Sequence, residues 1–127
     1  MIAPLPNAKK PCEFIGSAEH DLAAMPSEVK SVFGFAIFSA QMGDKHPDAK
    51  VLKGFGGAGV LEVVETFEGN AYRAVYTVKF AGVVYVLHCF QKKSKRGSET
   101  PKHDIDLIKK RLKDAEEHYR KNYRKAG

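Results

Sequence analysis

The residues of this chain best equipped to act on a phosphodiester are Arg73, His88, Phe90, Lys92 and Glu62, spread over three runs rich in Val, Tyr and Phe: Val60 to Thr66, Ala71 to Phe80 and Val83 to Gln91. Such composition reads as strands. Taking Ala81 and Gly82 as a two-residue hairpin pairs Phe80 with Val83, and outward counting sets Val75 opposite His88 and Arg73 opposite Phe90. The turn at Glu68, Gly69 and Asn70 likewise sets Thr66 opposite Ala71. Because strand side chains alternate, Glu62, Val64, Arg73, Val75, His88, Phe90 and Lys92 are expected on one face. An arginine fork holds a phosphate through two parallel bonds, an aromatic ring stacks on an unpaired base, and a histidine exchanges protons near neutrality. The same residues also read as a cross-strand ion pair between Glu62 and Arg73, hydrophobic filling by Phe90 and a structural histidine.

The opposite face collects Leu61, Val63, Tyr72, Ala74, Tyr76, Val78, Tyr85, Leu87 and Cys89, and is expected to be the side on which helices lie. Cys12 to Gly16 reads as a short strand, Ser17 as the cap of a short helix through Ala24, and Pro26 as the start of a second helix. Val29, Val32, Phe33, Ala36, Ile37 and Ala40 form its apolar stripe, and Gly43 stops it. Residues 44–59, glycine-rich, read as a loop with one short extended piece near Val51 and Leu52. Thr100 and Pro101 signal a last helix, with Ile105, Ile108, Leu112, Ala115 and Tyr119 on its apolar side. The predicted class is α+β: an N-terminal helix hairpin on an antiparallel, mostly meander sheet, plus a C-terminal amphipathic helix.

With 127 residues, 43% hydrophobic and 28% charged, the chain is expected to form one domain over 1–127, with a flexible lead (1–11) and tail (121–127). No apolar stretch approaches the ~18 residues that cross a bilayer, and the start lacks the pattern of a secretion signal, so the expected location is cytoplasmic, away from membranes. The two cysteines, Cys12 and Cys89, form no CxxC pair, and the five histidines show no ligand spacing, so neither disulfides, a metal site nor a cofactor is expected. Charge is unevenly placed: residues 92–127 hold 13 basic and 6 acidic side chains, the remainder 8 and 9. A localised positive field attracts polyanions, whereas a solvated basic helix would only aid solubility. The run Gln91 to Gly97 adds Lys93, Lys95 and Arg96 at the sheet end nearest Arg73.

The segments Tyr72-Arg-Ala-Val-Tyr-Thr-Val78, Val83 to Phe90, Lys50-Val-Leu-Lys-Gly54 and Phe90-Gln-Lys-Lys-Ser-Lys95 resemble, in order and spacing, toxins of the RelE and ParE superfamily, closest to the HigB-like, phage-derived branch. The likeness runs from Cys12 to about Tyr119. It implies a RelE-like fold and a metal-independent mRNA interferase, the toxin of a toxin–antitoxin pair, acting on message in the ribosomal decoding site. It further implies Arg73 at the scissile phosphate, assisted by Lys92 or Lys93, with a basic contribution from Lys53 and Lys50. A ring position near the last strand matches His88 and Phe90. One feature departs from the RelE pattern: no tyrosine occurs between Ser94 and Leu107, where only His103 offers a ring, so the general base is left unassigned among Lys92, Lys93 and His88.

These residues suit attack by a ribose 2′-OH on the adjacent phosphate, which needs proton removal, charge stabilisation and protonation of the leaving oxygen. The expected partners are ribosome-bound mRNA and a helix-turn-helix antitoxin. Two other readings keep the fold: a ParE-like toxin acting on gyrase, and a non-catalytic nucleic-acid or partner-binding module.

Overall fold

The computed structural model describes residues 9–92 and 99–123. Strand β1 (Cys12–Phe14) leads into helices α1 (Ala18–Ala23) and α2 (Ser27–Gln41), then strands β2 (Lys50–Val51), β3 (Val60–Phe67), β4 (Asn70–Thr77) and β5 (Val84–Lys92), and helix α3 (Lys102–Asn122). The strands form one sheet in the order β1-β5-β4-β3-β2. All neighbours are antiparallel except β1, which runs parallel to β5. The α+β class is therefore as the sequence predicts. Among the described residues no helix is long and apolar enough to cross a membrane.

Local chemistry explains the elements. Pro26 and Pro101 stand at the caps of α2 and α3, where a missing N–H leaves no bond unmade. Val29, Phe33, Ala36, Ile37 and Ala40 of α2 are buried against Leu61, Val63, Ala74, Tyr76, Val86 and Cys89. Glu68 and Gly69 both take positive φ between Phe67 and its partner Asn70, the backbone of a tight hairpin turn whose twist matches the strands. Ser17 stands at the N-cap of α1 as expected but makes no side-chain cap bond; its hydroxyl donates instead to Asp21 at 2.7 Å.

Two expectations about the sheet are corrected. Ala81 and Gly82 form a turn in which the Val83 N–H donates to the Phe80 carbonyl, but the ladder does not continue from it. The predicted pairs Val75 with His88 and Arg73 with Phe90 are present, whereas Tyr76 pairs with Val86 and Thr77 with Tyr85. Leu87 is thus an extra residue in β5, a bulge that turns Tyr85 and Leu87 onto the face of Val75. The second correction follows: that face is not open. Ile108 and Ala115 of α3 pack with Val60, Val75, Tyr85 and Leu87 in a second core, so helices cover both sides of the sheet.

The end of α3 is held too. The Tyr123 hydroxyl donates to Glu13 and the Tyr119 hydroxyl to the Ala81 carbonyl at 2.8 Å, while Tyr85 and His118 are hydrogen-bonded at 2.8 Å. Helix α3 thus runs to Asn122 with Tyr123 as its C-cap; residues 124–127 lie outside the described residues.

The contrast between two phenylalanines of α2 tests this packing. Phe33 is 0% exposed and Phe35 57%. Phe33→Ala is expected to lower unfolding free energy by about 3–5 kcal/mol and Phe35→Ala by under about 0.5 kcal/mol, measured by urea denaturation.

Candidate phosphate-binding face

Three cross-strand rows on the α3 side of the sheet hold the residues singled out from sequence. Directly opposed residues point to the same side, so Lys50, Glu62, Val75 and His88 make one row, Val64, Arg73 and Phe90 the next, and Thr66, Ala71 and Lys92 the third. The expected gathering of Arg73, Glu62, His88, Phe90 and Lys92 on one face is thus present, joined by Lys50 through β2. Lys53 follows β2 and is exposed. Lys93, Lys95 and Arg96 lie outside the described residues.

The face is buried where exposure was expected. Arg73 is 3% and Lys92 7% exposed. Arg73 Nη1 donates to Glu62 Oε1 at 2.8 Å and approaches Thr100 Oγ1 at 3.5 Å, while the Thr100 hydroxyl donates to Glu62 Oε2 at 2.7 Å. Both carboxylate oxygens are thereby engaged. Lys92 Nζ donates to the Glu99 carbonyl. Glu99 and Thr100, just ahead of α3, therefore contact both cations. A buried guanidinium is tolerable only with such compensation, since stripping it of water without a partner costs several kcal/mol.

His88 is held at both ring nitrogens. Nε2 is 2.8 Å from Asp104 Oδ1 and Nδ1 is 3.4 Å from Arg111 Nη1. Arginine is always a donor, so Nδ1 must accept and Nε2 carries the hydrogen bonded to Asp104. Burial lowers the His88 pKa, the Asp104 hydrogen bond and charge oppose that shift, and the Arg111 charge adds to it. The ring therefore links Asp104 to Arg111, its Nε2–H donating to the carboxylate and its Nδ1 accepting from the guanidinium. Phe90 stacks on it at 4.3 Å.

Arg111 continues the network, donating to the Leu87 carbonyl at 2.9 Å and to Ser17 Oγ at 3.1 Å. Gly16 permits this: its φ is +58°, and a Cβ there would lie 2.9 Å from Arg111 Nε. Asp104, Arg111 and Thr100 were not among the residues picked out from sequence. Their signal was present, because Asp104, Ile108, Arg111 and Ala115 recur at helical spacing on the inward side of α3. Outward, Lys102, Lys110 and Lys121 pair with Asp106, Asp114 and Glu117 four residues away, which neutralises part of the basic surface. Burial pushes the Cys89 thiol up to about 12 and that of Cys12 to about 11, so neither is a nucleophile at neutral pH.

Residues 20–113 match the family described as phage-derived protein Gp49-like (DUF891). The chain belongs to that family, in keeping with the phage-derived branch its motifs resemble. No curated protein matches it by sequence. Among solved structures, the toxin–antitoxin complex RelBE2 from Mycobacterium tuberculosis matches at 18% identity and a TM-score of 0.45, over 68% of this chain and 94% of that one.

The depressed His88 pKa sets a pH dependence. The unfolded chain takes up the proton first, near pH 6.5. Stabilisation from neutral His88 is complete above that value and is lost as pH falls through it toward the lower folded-state pKa. Urea denaturation from pH 7.5 to 5.5 should show the advantage of the wild type over His88→Gln shrinking with acidity; a constant difference would exclude this role.

Proposed function

We propose that this chain is the toxin of a toxin–antitoxin pair and that it cleaves ribosome-bound message. The observation carrying this reading is the convergence of Arg73, Glu62, Phe90 and Lys92 in adjoining rows of one face, with Lys50 beside them. Family membership and the Tyr-Arg-Ala-Val-Tyr motif support it. Glu62 binds the Arg73 guanidinium as a phosphate would, so an incoming phosphate exchanges for the carboxylate once Thr100 moves aside. Freed, the Glu62 carboxylate accepts the 2′-OH proton. The 2′-oxygen bonds to phosphorus and the P–O5′ bond breaks, leaving a 2′,3′-cyclic phosphate. Arg73 stabilises the added negative charge and Lys92 protonates the leaving oxygen. Lys50 and Lys53 hold flanking phosphates, and a helix-turn-helix antitoxin silences the protein by covering this surface.

A second reading is favoured by the closed Glu62–Arg73–Thr100 triangle, which commits the arginine within the fold: a toxin of the same superfamily acting on a protein target such as gyrase. Expression without antitoxin followed by primer extension separates the two. The nuclease reading expects new message ends with wild type, and a loss of about 100-fold or more with folded Arg73→Ala and with Glu62→Gln. Growth arrest with intact message and broken DNA supports the second reading, and undiminished cleavage by Arg73→Ala removes that residue from the mechanism.

A further inference from the structure

Beyond the β1 pairing, the outer edge of β5 borders a cleft of about 550 Å3 between that strand and the α1–α2 corner, lined by His20, Asp21, Met25, Tyr72, Phe90 and Gln91 among others. Its volume falls within the range of small-ligand sites. His88 also lines the cleft with both ring nitrogens engaged, but its other polar groups are largely uncommitted. Among the described residues, the His20 ring, the Tyr72 hydroxyl and the Gln91 amide make no hydrogen bond, and Asp21 uses only Oδ2, accepting from Ser17 at 2.7 Å. Met25 forms a buried apolar floor, while His20 and Gln91 are exposed at the mouth. Phe90 belongs to both places, since it lines the cleft and directly opposes Arg73 across the strands.

We infer that this cleft is a guanine-binding site, formed by Asp21 and Gln91 with Tyr72 as the stacking ring, while Phe90, which leaves β5 on the other side of the sheet, borders it at the strand edge. An aromatic ring takes the π-face of an unstacked base whatever its identity. Selectivity comes from the carboxylate, the one charged group lining the cleft. Guanine presents two adjacent donors on its Watson–Crick edge, N1–H and the 2-amino group, which match the two oxygens of Asp21. Each carboxylate oxygen has two acceptor sites, so Oδ2 serves Ser17 and the base together. Gln91 then donates its amide N–H to O6. Adenine and cytosine would aim a ring-nitrogen lone pair at the carboxylate, and uracil flanks its single donor with two carbonyls.

The inference deepens the proposed function, because the cleft shares Phe90 with the Arg73 face, and the site would then select where message is cut. Guanine can also arrive as a free nucleotide, and the experiment distinguishes the sources. Purified protein, without ribosomes, is titrated with the four nucleoside 5′-monophosphates and with the trinucleotide UGU, followed by NMR of backbone amides. GMP is expected to shift His20, Asp21, Tyr72, Phe90 and Gln91 and to bind at least tenfold more tightly than AMP, CMP or UMP. Asp21→Asn should abolish that preference. Gln91→Ala, an exposed position whose loss leaves the core intact, should weaken GMP severalfold. UGU binding tighter than GMP and weakening with salt identifies RNA as the source; equal binding identifies a free nucleotide. Equal responses to all four nucleotides, or a preference that survives Asp21→Asn, overturns the inference. GMP binding without message cleavage would sink the nuclease reading alone, and cleavage without a guanine response this site alone.

Discussion

The buried ion pair between Arg73 and Glu62 is the constraint around which the α3 side of the molecule is arranged. Neither charge tolerates burial alone, and each removes the other's desolvation penalty only while held in geometry. Glu62 stands one row from Arg73 on the adjacent strand, so its carboxylate reaches the guanidinium diagonally rather than from the directly opposed position, which Val64 fills. Thr100 completes the carboxylate's bonding and ties the pair to the start of α3. Any chemistry at Arg73 must therefore exchange one set of partners for another, and an anionic oxygen is the natural replacement.

A second polar chain, Asp104–His88–Arg111–Ser17–Asp21, fastens α3 to β5 and to α1. Its members alternate in charge character, and only a neutral imidazole satisfies the arginine and the carboxylate at once. Asp21 is shared by this chain and by the proposed base cleft, so the elements framing the two faces of the sheet are mechanically joined near the end of β5. Helix α3 is positioned by this polar network at its first turns and by aromatic contacts among Phe80, Tyr119 and Tyr123 at its last.

The limit of sequence reading is visible in β5. Val84, Tyr85, Val86 and Leu87 are apolar without interruption, because both faces of the sheet are covered there. Alternation is the cue that fixes register, and a strand buried on both sides offers none. The hairpin count therefore agrees from Val75 to Ala71, beyond the bulge, and is off by one between the bulge and the turn. The same blindness made the Arg73 face look open: His88, Arg73 and Glu62 are polar, yet they are polar because they bond one another and α3.

The sequence by itself determined the elements, their class and the grouping of Arg73, Glu62, His88, Phe90 and Lys92, since these follow from short-range periodicity, turn residues and antiparallel pairing. Tertiary structure alone decided that α3 lies over that group, that Asp104 and Arg111 hold His88, and that Thr100 joins Glu62 and Arg73. Burial and solvent exclusion arise from segments distant in the chain, and it is exclusion of water that turns a row of ionisable side chains into ion pairs with fixed partners.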